Sequence, residues 1–191
     1  MYFNDLTDLI CKKISIDPKD KNILIIAIDG RCTSGKTTLA KELSERLGCN
    51  VIHTDDFYLQ SSQRTEERYA EPGGNLDRER LKEEILLPLK NGQKPVYRPF
   101  LCSSLSFGPE IKLPDKKIYI IEGSYSCHPE LSPFYDMTVF VTTNKETQEE
   151  RIINRNGKEK LDMFRKKWIP LEESYFDRFA IKEKADIITE T

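Results

Sequence analysis

Ile23-Leu-Ile-Ile-Ala-Ile28 runs directly into Asp29-Gly30-Arg-Cys-Thr-Ser-Gly35-Lys36-Thr37, and the reading of this stretch decides the fold. A continuous branched apolar run is the pattern of a parallel strand covered on both faces. The segment after it has the G-x-x-x-x-G-K-[ST] spacing, and beyond it Leu39, Leu43 and Leu47 recur on one stripe up to Gly48. That stripe predicts an amphipathic helix from about Lys36 to Leu47. Strand, glycine loop and helix in this order bring successive backbone N–H groups to a helix N-terminus, where they wrap phosphate. Gly35 lets the chain approach closely, Lys36 neutralises phosphate oxygens and Thr37 offers a hydroxyl to magnesium. A turn that merely joined strand to helix would not require Lys and Thr after the second glycine. The expected nucleotide-binding set is Gly30, Arg31, Cys32, Thr33, Ser34, Gly35, Lys36, Thr37 and Thr38. ATP is the expected nucleotide, GTP stays open, and Mg2+ is the expected metal.

Outward from this loop, strand and helix signals alternate. Val51-Ile52 is a second strand leading into Asp55-Asp56, and the polar segment Leu59 to Asn75, with Pro72-Gly73-Gly74, reads as a long loop. Asp77 can cap a helix whose Leu81, Ile85, Leu86 and Leu89 share one face. Pro95, Pro99 and Pro109 divide the next stretch, so residues 94–113 read as a small excursion such as a hairpin. Ile118-Tyr-Ile-Ile121 and Met137-Thr-Val-Phe-Val141 are two more core strands. Thr143 followed by Glu146 has the capping-box spacing and predicts the start of a helix carrying Arg151 and Arg155. A further helical stretch around Asp162 to Glu183 is expected to be interrupted by Pro170, and Ala185 to Ile188 offers a last strand. The fold class is α/β: a P-loop NTPase of three α/β/α layers with a mostly parallel sheet of about five strands. Residues 1–191 are expected to form a single domain, with a lid region at about 151–160.

Composition bounds the partners. The 191 residues are 38% hydrophobic and 32% charged with a net charge of -2, a balance that fits a globular protein without a global field for nucleic acid or membrane. A small-molecule partner is expected, no nucleic acid and no membrane, and a homo-oligomer stays open. Cys11, Cys32, Cys49, Cys102 and Cys127 are odd in number and lack CxxC spacing, which argues against a disulfide framework or a structural zinc and fits a reducing cytoplasm. Asp5 and Asp8 near the start, and an apolar run confined to residues 23–28, give no sign of targeting or of a membrane span.

Several residues outside the loop suit phosphoryl transfer. Asp55 or Asp56, at the sheet edge where open α/β folds bind ligands, can accept the proton of an attacking hydroxyl, and only one of the two can be that base. The other is a turn or cap residue. Glu122 ends a core strand where an acid can hold magnesium opposite Thr37. Arg151 and Arg155 share a helix face, as a lid over the phosphoryl group or as a solvated surface beside Glu149 and Glu150. Tyr97 and Arg98 could hold a planar substrate. Trp168, among Phe164, Ile169, Tyr175 and Phe176, reads as core packing, and His53 and His128 as structural.

At Asp29-Gly-Arg-Cys-Thr-Ser-Gly-Lys-Thr-Thr38, His53-Thr-Asp-Asp-Phe-Tyr58, Pro95-Val-Tyr97, Ile121-Glu-Gly123 and Arg151-Ile-Ile-Asn-Arg155 the sequence resembles the uridine kinase and phosphoribulokinase branch of P-loop kinases. The resemblance runs over most of the chain. It implies an ATP-dependent kinase acting on a small hydroxyl-bearing metabolite, with the 5′-hydroxyl of a nucleoside as the leading acceptor. It also implies Asp55 as general base, Lys36 with Arg151 and Arg155 on the phosphates, Tyr58 and Tyr97 beside the substrate, and Glu122 near magnesium. After Tyr97 the stretch Arg98-Pro-Phe-Leu-Cys102 lacks the histidine with which uridine-cytidine kinases typically read the base. Nicotinamide riboside kinases share an Asp-Asp-Phe element and are the alternative. A regulatory nucleotide-hydrolysing switch is a more distant one: Asn144-Lys145-Glu146-Thr147 resembles a guanine-reading element, but Thr147 stands where the acid is needed.

Overall fold

A computed structural model describes residues 7–10, 12 and 23–191; Asp5 and Cys11 lie outside the described residues. The sheet is built around β1 (Leu24–Gly30), flanked by β7 (Ile118–Glu122) and β8 (Met137–Thr142). Outside these lie β2 (Asn50–His53) and β9 (Ile187–Glu190), and every pairing is parallel. The order β2-β7-β1-β8-β9 makes five strands, all parallel. Ile25 and Ala27 of β1 pack into one core and Ile26 and Ile28 into another, which is why the strand shows no polar alternation. Because the strands are parallel, Gly30, His53, Glu122 and Thr142 all emerge at one edge.

Helix α1 (Lys36–Leu47) buries Leu39, Ala40 and Leu43 in the core that holds Ile26 and Ile28, and it stops at Gly48 in the left-handed conformation. The segment read as a long loop contains α2 (Glu66–Ala70). Helix α3 then runs Arg78–Leu81, widens into π-turns at Lys82–Leu86 and continues through Leu87–Lys90. The Asp77 carboxylate accepts the Arg80 N–H at 3.1 Å, the expected cap. The 94–113 excursion is two antiparallel ribbons, β3 (Val96–Tyr97) with β6 (Ile111–Lys112) and β4 (Phe100–Leu101) with β5 (Ser106–Phe107).

Helix α4 (Lys145–Asn156) starts with a different cap from the one expected. Asn144 accepts the Thr147 N–H at 2.8 Å, while the Thr143 hydroxyl donates to the Thr191 carbonyl at 2.8 Å. The next helix, α5, is not interrupted at Pro170: it runs Leu161–Met163, through π-turns at Phe164–Trp168, and on through Ile169–Phe179. Placing the proline in the turn that follows the π-segment accommodates its missing N–H and its ring within the helix. The last strand lies slightly later than expected, since Asp186 is used before it, its carboxylate accepting the Thr138 N–H at 2.7 Å.

Candidate functional site

The phosphate loop forms where β1 passes beside β8. Gly30 has φ 133°, and a Cβ there would sit 1.9 Å from the Val141 carbonyl oxygen, so the crossing admits only glycine. Arg31 N–H donates to that same oxygen at 3.2 Å, and Gly30 N–H to the Asp29 carboxylate at 2.7 Å. These two amides shape the loop. Helix α1 begins at Lys36, and the Leu39 N–H is the first to reach back, to Gly35 O at 3.0 Å. The amides of Gly35, Lys36, Thr37 and Thr38 therefore have no carbonyl a turn behind them. The Ser34 hydroxyl is buried with no partner among the described residues. Lys36 Nζ donates to Gly30 O at 2.7 Å and Arg31 O at 2.8 Å.

Asp29 supports the loop from beneath. Its buried carboxylate accepts the N–H groups of Tyr125 and Cys127, at 3.2 and 2.9 Å, and the Tyr175 hydroxyl at 2.8 Å, while burial raises its pKa to about 6. Thr37 Oγ1 donates to Glu122 Oε1 at 3.2 Å, and Glu122, 4% exposed, also contacts His53 Nδ1. That contact raises the His53 pKa. Orphaned amides, an unpartnered hydroxyl and a lysine suit a triphosphate, and the hard oxygens of Thr37 and Glu122 suit Mg2+.

A cavity of about 1010 Å³ opens from the loop. Cys32 to Thr38 line it together with Asp55, Tyr58, Arg64, Tyr69 and Asn75 from the segment after β2. Helices α4 and α5 contribute Arg151, Asn154, Arg155, Phe164, Lys167 and Trp168. The structure thus separates the two adjacent acids. Asp55 lines the cavity and accepts the Tyr58 hydroxyl at 3.1 Å, whereas Asp56 accepts the Tyr97 hydroxyl at 3.0 Å. Burial raises the Asp56 pKa.

Not every expected residue reaches the cavity. Tyr97 is buried and stacks on Phe57, centroids 5.2 Å apart, and Arg98 donates to Gly108 O at 2.8 Å; neither lines the cavity. Tyr97 ties the excursion to the segment after β2, and Arg98 holds the excursion together internally, donating also to Phe107 O at 3.3 Å. Arg31 turns away from the loop to a bidentate pair with Glu173, at 2.7 and 2.9 Å. Arg151 donates to Thr33 O at 3.2 Å and Thr191 Oγ1 at 2.7 Å, and Arg155 to Asn156 Oδ1 at 3.1 Å, so the expected arginine pair does stand at the cavity. Trp168 corrects the core-packing expectation: it lines the cavity, with Lys167 Nζ 4.7 Å from its ring. His128 is structural, stacked beside Tyr175, and burial lowers its pKa to about 4.

Glu172 was not singled out by the sequence. Its carboxylate accepts the Cys32 N–H at 2.9 Å and the Ser124 hydroxyl at 2.7 Å and lines the cavity. Burial, with Glu172 adding to it, pushes the Cys32 thiol up to about 12. The available signal was its place on α5 beside Glu173, a turn before Tyr175, which marks the helix face turned to the loop.

An AAA domain family model matches residues 26–169. A uridine kinase of Ureaplasma parvum is 27% identical over 179 residues, which cover 86% of this chain and 85% of that protein. The tRNA-specific adenosine deaminase subunit tad2 of Schizosaccharomyces pombe is 33% identical over 178 residues, 86% of this chain but 43% of that protein. The chain spans less than half the length of this and of two further curated relatives. Among solved structures, one described as a possible uridine kinase from Bacillus stearothermophilus is 25% identical, with a TM-score of 0.71 over 98% of this chain and 99% of that one. With a family model over most of its length and uridine kinases among its relatives in both sequence and structure, the chain belongs to the AAA-domain P-loop family, in its uridine kinase-like branch.

Proposed function

We propose that the chain is an ATP-dependent kinase that transfers the γ-phosphoryl group to a hydroxyl of a small metabolite, with the 5′-hydroxyl of a nucleoside as the leading acceptor. The observation that carries this reading is one cavity lined both by the phosphate loop and by Asp55, while the adjacent Asp56 is tied to Tyr97. A loop that only binds nucleotide needs no such carboxylate. The name uridine kinase on a relative that this chain matches over 85% of its length supports the nucleoside as first acceptor.

MgATP, when bound, supplies the transferable phosphoryl group and a cation that draws off its charge. The loop amides and Lys36 hold the phosphates, and Thr37 and Glu122 hold the cation. Asp55 takes the proton of the acceptor hydroxyl; the Tyr58 hydroxyl fixes one carboxylate oxygen and leaves the other for that proton. Arg151 and Arg155 hold charge on the phosphoryl group from the α4 side. The Arg151 bond to Thr33 O ties that helix to the loop it serves.

The test is incubation with MgATP and uridine, cytidine, nicotinamide riboside, pantothenate and simple sugars, reading ADP and the phosphorylated product. ADP formed together with a phosphorylated acceptor is the expected result. ADP released equally without acceptor would favour the hydrolysing switch and overturn the kinase reading.

A further inference from the structure

Every backbone carbonyl of the phosphate loop from Gly30 to Gly35 has a donor. Lys36 Nζ serves Gly30 O and Arg31 O, at 2.7 and 2.8 Å, and the Leu39 N–H serves Gly35 O at 3.0 Å. The three carbonyls between them are reached from outside the loop. Gln148 Nε2 donates to Cys32 O at 3.2 Å, Arg151 to Thr33 O at 3.2 Å, and the Thr191 hydroxyl to Ser34 O at 2.9 Å. In the kinase reading above, Lys36 and Arg151 also serve the phosphates. Gln148 and Thr191 are therefore the outside donors committed to the loop alone.

Their position decides which amides are left for phosphate. A peptide unit is planar, with its C=O and the following N–H on opposite sides. Holding Cys32 O towards Gln148 and Ser34 O towards Thr191 therefore turns the N–H groups of Thr33 and Gly35 the other way. Both residues line the cavity, and neither N–H has an acceptor among the described residues. The loop needs such holding, because Thr33 has φ 57°, a left-handed conformation that a β-branched residue keeps only under constraint. The Thr33 hydroxyl donates to Gln148 O at 3.2 Å, so Gln148, 4% exposed in the first turn of α4, grips the loop by side chain and main chain alike. Thr191 is fixed independently of its hydroxyl: its N–H donates to Thr142 O at 3.0 Å, and its main-chain oxygen accepts the Thr143 hydroxyl at 2.8 Å. Arg151 sets the direction of the Thr191 hydroxyl. A guanidinium only donates, so its 2.7 Å bond to Thr191 Oγ1 leaves the hydroxyl proton for Ser34 O at 2.9 Å, with Thr142 O farther at 3.5 Å.

We propose that Gln148 and Thr191 are positioning residues that hold the phosphate loop, carbonyls outward, in the shape that receives a polyphosphate. The proposal rests on the loop's part in the kinase reading and not on the acceptor, so it is tested without turnover, by calorimetric titration with magnesium tripolyphosphate. Thr191→Val keeps the side-chain shape and both main-chain bonds but has no hydroxyl, and Gln148→Met keeps the length but has no amide. Each is expected to weaken tripolyphosphate binding roughly 3- to 10-fold, the range of one neutral hydrogen bond, while Thr191→Ser, which restores the hydroxyl, stays within about twofold of the wild type. Residues that served only the fold would lower the thermal midpoint and leave the Kd measured well below it unmoved. Wild-type affinity in folded Thr191→Val or Gln148→Met removes that residue from the role, and Thr191→Ser as weak as Thr191→Val overturns the part given to the hydroxyl. If Thr191→Val does not fold, Gln148→Met and Thr191→Ser still decide. Failure of these variants leaves the kinase reading standing, and absence of any phosphorylated acceptor touches that reading alone. A wild type that does not bind tripolyphosphate overturns the proposal together with the loop's assignment.

Discussion

The two acids at residues 55 and 56 show what a side chain's partner does to its role. Both are aspartates after the same strand, but Asp56 is spent on Tyr97 while Asp55 is exposed to the cavity with Tyr58 on one oxygen. Asp55→Asn is thus expected to lower kcat by roughly 100- to 10,000-fold, the range for a general base, while nucleotide affinity stays within a few fold. Steady-state kinetics with parallel nucleotide titration would separate the two, and undiminished turnover would remove Asp55 from the mechanism. Glu122 makes a prediction of its own. Because it is buried and bonded to Thr37, Glu122→Gln is expected to raise the Mg2+ concentration needed for half-maximal activity roughly tenfold or more, and excess chelator to abolish activity in both forms. An unchanged magnesium titration would place the cation elsewhere. The spacing of the motif made Lys36, Thr37 and a carboxylate after β2 legible. It could not tell Asp55 from Asp56, nor show that Tyr97 faces Asp56, because those outcomes depend on contacts between distant segments.

Among the elements, β1 and α1 were legible in full, since a strand buried on both faces and an amphipathic helix carry their burial in their own pattern. The tightest local requirement is at their junction. Gly30→Ala would push a Cβ to within 1.9 Å of the Val141 oxygen at a φ of 133°, so it is expected to cost roughly 3 kcal/mol or more, seen as a fall in Tm of about 6 to 12 °C. A variant as stable as the wild type would mean that β8 can yield there. Helix α5 was less legible: a proline reads as a break, whereas the π-turns just before it let the helix continue and bring Glu172, Tyr175 and Phe176 onto the sheet edge. His128 packs against this helix, and its behaviour with pH follows from that contact. Its folded pKa of about 4 lies below the ordinary 6.5, so the unfolded chain gains a proton first as pH falls, and stability declines from about pH 6.5 towards 4. Asp29, raised from 3.8 to about 6, acts oppositely: the folded state gains the proton first, and stability is recovered as pH falls from about 6 towards 3.8. Between pH 7 and pH 5 the two contributions oppose each other in the wild type, whereas His128→Gln keeps the Asp29 gain, to which His53, its pKa raised by Glu122, adds. The urea midpoint is therefore expected to move upward from pH 7 to pH 5 in His128→Gln relative to its movement in the wild type, and the same movement in both would mean that His128 carries none of the acid sensitivity.

Over the whole molecule, the parallel sheet gathers at one edge what the chain scatters along its length. The phosphate loop, Asp55, Glu122 and α4 with α5 meet there because each follows or faces a strand end that points the same way. The alternating pattern made this convergence legible, but it did not reveal which face α5 presents, since aromatic residues at helical spacing suit a core and a cavity wall alike. Trp168 is where the difference becomes measurable. It is the single tryptophan of the chain and lines the cavity with Lys167 over its ring, so it reports on the site without a label. Titration with MgATP is expected to change its emission saturably. Lys36→Ala, which removes the loop's main cation, is expected to shift that titration to at least about tenfold higher nucleotide, a loss in the range of hydrogen bonds to charged groups. An emission change that persists at unchanged midpoint in Lys36→Ala would mean that the ligand seen by Trp168 binds away from the phosphate loop, and a silent Trp168 despite nucleotide binding would mean that α5 lines the cavity without sensing what enters it.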